Sequence, residues 1–352
     1  MTKHHDITVG DRTIGPDHEP FVIAEMSGNH NGDLERALDI VRAAGQAGAS
    51  ALKIQTYTAD TITLDVDTPS FRLSADHPLW PNRRLYDLYE EAHTPWEWHE
   101  PIFELATSLG MVAFSAPFDP TAVDFLKGLG VPLLKNASSE ITDLPLIRAI
   151  AGTGLPTIIS TGTATMGEID AAVRAVRETG NDDVVVLGCT TSYPADPRDS
   201  NLRGLPVLRD ALDVQVGLSD HTLGIGASVA AVAMGATVIE KHLTLEREEG
   251  GVDADFSLNP DEFASLVTEC RIAWQAMGEP TIGPKKVEAE GLRFRRSLFV
   301  SADVKAGDKV SAANVRSVRP ADGLEPDRFA EIEGLRFNRD VPMGTPMSLD
   351  LL

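Results

Sequence analysis

The sequence predicts a (β/α)8 TIM barrel followed by a small β-rich C-terminal domain. Three observations carry that expectation. Eight short apolar runs alternate with eight segments of helical pattern over about 260 residues, the usual size of such a barrel. Each run is continuously apolar rather than alternating, as in strands buried on both faces of a parallel sheet. After Gly283 the pattern changes to short alternating segments with turn signals, Lys305-Ala306-Gly307-Asp308 and Pro342-Met343-Gly344 among them.

The eight expected strands are 21–26 (FVIAEM), 51–56 (ALKIQT), 111–117 (MVAFSAP), 132–138 (PLLKNAS), 157–162 (TIISTG), 184–190 (VVVLGCT), 214–220 (VQVGLSD) and 237–243 (TVIEKHL). Between the first two, Leu34, Ala37, Leu38 and Val41 share one helical face. Thr94-Pro95-Trp96-Glu97 reads as a capping box with proline at the first helical position, and Asp119-Pro120 and Asn259-Pro260-Asp261-Glu262 give similar start signals. The segment 166–180 is amphipathic and ends at Gly180. GIGASVAAVAMGA (224–236) is apolar on all sides and reads as a wholly buried helix. A doubly wound sheet would also alternate strand and helix, but eight units match a barrel. The long interval between the second and third strands, polar and aromatic, is expected to be an inserted loop with a short helix over the barrel mouth. The boundaries that follow are 1–283 for the barrel, 284–290 for a linker and 291–352 for the second domain.

Composition excludes several function classes. The 352 residues contain 31 Lys+Arg against 53 Asp+Glu, a net charge of −22, which argues against nucleic-acid and anionic-membrane partners. The acidity belongs to the barrel: from Pro284 onward there are 12 basic and 11 acidic residues. Only Cys189 and Cys270 are present, with no CxxC pair, so no disulfide framework or cysteine zinc site is expected, which suits a reducing cytoplasm. The start MTKHHDITVGDRTIG lacks an apolar export core, and His4 and His5 read as a solvated tail.

Polar residues collect at the ends of the expected strands, where barrel enzymes place their chemistry. These are Glu25, then Lys53 with Gln55, Ser115, Lys135 with Glu140 soon after, Ser160 with Thr161, Tyr193 beyond the sixth strand, Ser219 with His221, and Glu240-Lys241-His242. Three of the nine lysines, Lys53, Lys135 and Lys241, interrupt apolar strands. A buried ammonium needs an anionic partner, either a carboxylate inside the barrel or a bound anionic substrate. His221 and His242 end neighbouring strands, as two imidazoles of a divalent-metal site would, although a hydrogen-bonded core histidine reads the same way. Asn29-His30-Asn31-Gly32, ahead of the first helix, is either an anion-binding turn or a helix cap.

In this order the motifs AEMSGNHNG (24–32), LKIQTY (52–57), SAPFD (115–119), LLKNASSEITD (133–143), ISTGTAT (159–165), CTTSYPAD (189–196), GLSDHTLG (217–224), EKHLT (240–244) and DADFSLNP (253–260) resemble the sialic acid synthase family. RRSLFV (295–300) opens a tail that resembles the family's antifreeze-like SAF domain, a β-clip. SGNHNG, SAPFD and SSEITD resemble the family's pseudaminic branch, whereas neuraminate synthases tend to read GVNHNG and GSGE. Ala116 and Thr191 depart from the Thr and Asn often seen in neuraminate synthases and favour a less hydroxylated sugar than N-acetylmannosamine.

The resemblance implies a condensation of phosphoenolpyruvate with an open-chain amino sugar, here 2,4-diacetamido-2,4,6-trideoxyaltrose, with release of phosphate. It implies that Lys53, Lys135, Ser160 and Thr161 hold phosphoenolpyruvate, and that His221 and His242 hold a divalent ion, Mn2+ or Mg2+. Glu25 would be the general base for the attacking water. Glu140 would orient neighbouring groups. Gln55, Tyr193, Ser219 and Asp253 would line the sugar site, and Ser115 would also bind substrate. It also implies a domain-swapped homodimer in which Arg319 reaches the sugar in the partner's barrel. Neuraminate or legionaminic acid synthesis is the near alternative. A Schiff-base aldolase using Lys135 or Lys53 is the alternative of a different class, separable by borohydride trapping. An ice- or carbohydrate-binding role for the tail would leave the polar strand ends unexplained.

Overall fold

The computed structural model describes residues 5–76 and 80–352. It falls into two compact units, Met1–Gly278 and Glu279–Leu352. The division lies a few residues ahead of the expected boundary at 283.

The first unit is a closed barrel of eight parallel strands. They are β1 (Phe21–Glu25), β2 (Ala51–Thr56), β3 (Val112–Pro117), β4 (Leu134–Asn136), β5 (Thr157–Ser160), β6 (Val184–Cys189), β7 (Gln215–Asp220) and β8 (Val238–His242), with β8 pairing back to β1. Each falls within an expected run: β2 matches it in full, β4 is shorter by two residues at each end, and the others are trimmed by one or two residues. The helices of eight residues or more in this unit are α1 (Leu34–Gln46), α2 (Leu85–Ala92), α3 (His99–Ser108), α4 (Pro120–Gly128), α5 (Leu144–Ala151), α6 (Met166–Arg177), α7 (Gly204–Leu212), α8 (Gly226–Ala233) and α9 (Pro260–Met277).

Two of the three helix-start signals read from the sequence hold. The Asp119 carboxylate accepts from Thr121 N at 2.7 Å, and Asn259 and Glu262 form a reciprocal capping box. Two expectations change. Thr94 caps nothing: a 3-10 turn, Trp96–Trp98, intervenes and α3 begins at His99. Helix α8 is not buried all round, because Ala230 and Ala233 face outward. Alanine is small enough to read as core yet costs little on a surface.

Pairing across parallel strands places partners on one side of the sheet, and this fixes which side chains point inward. Glu25 pairs with Lys53 and with His242, and Ser219 pairs with Glu240. These belong to the inward phase. Lys241 pairs with Ala24 and Asp220, in the opposite phase. Gly217 leaves the interior room for Leu187: a Cβ there would stand 2.6 Å from Leu187 Cδ2 and 2.2 Å from the Val238 carbonyl oxygen.

A hairpin of Ile7–Val9 with Arg12–Ile14 precedes the barrel. Its strands are too short to show a pattern in the sequence. Ile7, Val9 and Ile14 are buried, and Arg12 donates to the Gly110 carbonyl just ahead of β3, at the end opposite the polar strand ends. His5 does not dangle free but pairs with Asp183 at 2.9 Å; His4 lies outside the described residues.

The second unit has its own small core, including Leu298, Val300, Val315, Phe337 and Met347, around β9 (Ser297–Val300) and β10 (Val315–Val318). The stretch 279–296 is exposed throughout, a longer connection than the expected 284–290.

Candidate active site

A cavity of about 380 Å³ opens at the C-terminal ends of the strands. Of the expected site residues, Lys53, Gln55, Lys135, Glu140, Ser160, Tyr193, Ser219, His221, His242 and Asp253 line it. Glu25 sits directly behind, held by Gln55 Nε2, which donates to Glu25 Oε1 at 3.0 Å. The insertion supplies the upper wall through Leu73, Leu85, Leu88 and Tyr89, so its short helix α2 does stand over the mouth.

At the floor lies a buried four-charge cluster. Lys53 Nζ is 3.1 Å from Glu25 Oε2 and 3.2 Å from Glu240 Oε1. Lys135 Nζ donates to the same Glu240 oxygen, as does Ser219 Oγ at 3.1 Å. Two ammoniums and two carboxylates offset each other away from water, which is how such charges survive burial. Burial pulls Lys53 down, but Glu240 and Glu25 outweigh it and hold the ammonium above its usual range. Burial lowers Lys135 to about 8 against the attraction of Glu240. Glu240 is held well below the carboxylate range, because Lys135 and Lys53 outweigh its burial. Glu25 goes the other way: burial raises it despite Lys53. The sequence marked Glu240 only as the neighbour of Lys241 and His242. Its role as the shared anion of two lysines needed the register to become visible.

Four buried polar atoms lining this cavity have no hydrogen-bond partner: Ser160 Oγ, Glu140 Oε2, Glu240 Oε2 and His242 Nδ1. Orphans of this kind are rare in folded proteins, and several facing one cavity indicate a polar ligand.

His221 and His242 stand with ring centroids 5.3 Å apart. His221 Nδ1 bonds the Thr190 carbonyl at 3.0 Å, an outer contact of the kind that orients a metal-binding imidazole. Burial keeps His242 neutral, the form that binds metal, and its Nδ1 is one of the orphans. His221 is held above its ordinary value, against burial, by the Cys189 thiol at 4.0 Å. No cluster of three or more His, Cys, Asp or Glu side chains suited to a metal occurs among the described residues. Two imidazoles, one of them with a free ring nitrogen, suit a divalent ion only if its other ligands were supplied by substrate and water.

Three expectations are corrected by geometry. Ser115 pairs with Ile54, in the phase opposite to Lys53, so its hydroxyl faces the helices; it meets Thr56 Oγ1 at 2.6 Å and donates to the Ile54 carbonyl. Thr161 follows Ser160 in the outward phase, does not line the cavity, and uses its N–H on the Leu187 carbonyl. The Asn29–Gly32 turn is neither an anion site nor the helix cap. Its N–H groups at Asn29, Asn31 and Gly32 are already used, on the Met26 carbonyl, the Gly28 carbonyl and His30 Nδ1 respectively, and Asp33 caps α1. Arg319 is an exposed residue of the second unit.

Burial pushes Glu140 up to about 7, so near neutral pH it exchanges a proton readily. Its ordinary value is 4.5, so the folded state favours the protonated form. Nothing is lost at low pH; stability is lost as pH rises from the carboxylate range to about 7 and stays lost above it. Glu140→Gln should therefore gain on the parent by about 2 kcal/mol between pH 5.5 and 8.5. Urea titrations at both values check this, and a constant difference would remove the shift.

A model of the NeuB family matches residues 40–281, and a SAF domain model matches 295–352. The chain belongs to the NeuB family. It is 44% identical to a pseudaminic acid synthase of Campylobacter jejuni over 93% of this chain and 95% of that one. It is 38% identical to a pseudaminic acid synthase of Helicobacter pylori over 94% and 97%. Among solved structures, the N-acetylneuraminic acid synthetase of Leptospira borgpetersenii in complex with citrate matches with a TM-score of 0.73 at 32% identity, covering 84% of this chain and 98% of that one. Barrel, SAF domain and synthase family thus agree with the sequence reading. Among the described residues no helix is long and apolar enough to cross a membrane.

Proposed function

We propose that the enzyme condenses phosphoenolpyruvate with 2,4-diacetamido-2,4,6-trideoxyaltrose and water to give pseudaminic acid and phosphate. The observation that carries this is the division of one cavity into two chemistries. Its floor presents Lys53, Lys135 and the free Ser160 hydroxyl, suited to the phosphate and carboxylate of phosphoenolpyruvate. Its wall presents Leu73, Leu85, Leu88 and Phe118, suited to methyl groups. A fully hydroxylated sugar would leave hydroxyls unpaired against that wall, whereas a 6-deoxy sugar with two acetamido methyls would bury them.

The residues divide the work. Lys53 and Lys135 exchange their contact with Glu240 for the incoming anion. Glu25, raised by burial, takes a proton from the water that attacks phosphoenolpyruvate. Gln55 fixes the Glu25 carboxylate, and Tyr193, 4.6 Å from the His221 ring, with Ser219 and Asp253 borders the sugar. A divalent ion, Mn2+ or Mg2+, held by His221 and His242 would polarise the sugar aldehyde as a Lewis acid. Phosphate release with a panel of amino sugars tests the reading. A higher kcat/KM is expected for the trideoxyaltrose derivative than for N-acetylmannosamine. The reverse order would move the enzyme to the neuraminate branch, and preference for the amino sugar corresponding to legionaminic acid to the legionaminic branch.

The tail is read as the cap of a partner's barrel, in a homodimer. A core as small as the second unit's is marginal alone. The long exposed connection 279–296, with Ile282, Val287 and Phe294 outward, suits a segment that packs on a neighbour. Arg319→Ala and Lys53→Ala should each be inactive, and mixing them should restore part of the activity once subunits exchange. Exchange without recovery would place the cap in cis or remove Arg319 from the site.

A further inference from the structure

The third strand lysine takes no part in the cavity. Lys241 is completely buried on the outer face of β8, with Nζ 2.9 Å from Asp220 Oδ2 and donating also to the Thr222 carbonyl. Asp220 Oδ1 accepts from Thr222 N at 2.9 Å, and Oδ2 accepts from Ser228 Oγ of α8 at 2.6 Å. The network thus grips the backbone on both sides of His221, through Asp220 before it and Thr222 after it. It is anchored on the residue immediately preceding His242. A buried ion pair adds little net stability compared with apolar packing of the same volume. What it does supply is a fixed relation between two strand ends and a helix.

We propose that the Lys241–Asp220 pair is a positioning device that presets the His221 and His242 imidazoles for a divalent ion. This rests on the metal reading given above. Neither residue lines the cavity, so both act through the backbone. Loss of a group that hydrogen-bonds a metal ligand directly typically weakens metal affinity about 10–100-fold, and loss of this indirect support is expected to act at the lower end of that range.

The test is Mn2+ titration of the full chain, read by the loss of the free-ion paramagnetic resonance signal. The double variant Asp220→Asn/Lys241→Met removes both charges and leaves neither unpaired. It is expected to keep its circular dichroism spectrum and its affinity for phosphoenolpyruvate, whose lysines lie on β2 and β4, while binding Mn2+ at least about tenfold more weakly. A folded double variant that binds Mn2+ within twofold of the parent overturns the proposal. If the double variant does not fold, Ser228→Ala decides, because it removes one donor to Asp220 and keeps both charges. A threefold or greater weakening supports the positioning role, and unchanged affinity overturns it. A parent that binds no Mn2+ would overturn the metal reading itself, and the positioning role with it.

Discussion

His221→Ala and His242→Ala are each expected to lower kcat about a thousandfold while leaving the barrel folded. Lewis-acid polarisation is worth several kcal/mol of barrier, and about 1.4 kcal/mol corresponds to a factor of ten. Each ring packs beside aromatic neighbours, His242 against Phe256 at 4.9 Å and His221 against Tyr193 at 4.6 Å. Truncation therefore costs some packing but opens onto an existing cavity rather than a sealed core. Bound metal should fall in parallel with turnover. Chelation of the parent should reproduce the loss, with recovery on adding Mn2+, and chelation of either variant should remove little more. A parent that stays fully active after exhaustive chelation would take the metal out of the mechanism.

The largest stability effect is expected from Glu240→Gln. One oxygen of Glu240 serves Lys53, Lys135 and Ser219. Lys53 keeps Glu25, but Lys135 loses its anion and becomes an unpaired buried ammonium, at a cost of about 3–5 kcal/mol. The pH dependence identifies the cause. Burial already lowers Lys135 to about 8, so its folded state favours the neutral amine, and stability is gained as pH rises past the folded value. Without Glu240 that gain begins at lower pH. The deficit of the variant, measured by urea unfolding, should therefore shrink between pH 7 and pH 9. A deficit below about 1 kcal/mol at pH 7 would mean that the cluster is not held by this carboxylate. The same variant should raise KM for phosphoenolpyruvate steeply, since a neutral amine attracts its phosphate poorly.

Much of this was legible in the residues. Continuous apolar runs placed all eight strands, and helix-start signals at Asp119 and Asn259 held because they act within a few residues of backbone. Polar residues at strand ends pointed to one end of the barrel, and ten of the expected site residues do line a single cavity there. The N-terminal hairpin escaped notice because three-residue strands carry too little pattern to distinguish from a loop.

The sequence by itself determined the barrel, the second domain, the family and the end of the barrel that carries chemistry. The tertiary structure alone decided which polar residue of each strand faces that chemistry. In a half-exposed strand, alternation of polar and apolar residues marks the two faces. In a barrel strand both faces are buried, one in the barrel interior and one under helices, so the sequence is apolar in both phases and the mark disappears. Lys53, Lys135 and Lys241 therefore look alike as residues, as do Ser115 and Ser160. Register separates them: Lys53, Lys135 and Ser160 turn to the cavity, while Ser115 and Lys241 turn to the helices and bind Ile54, Thr56, Asp220 and Thr222.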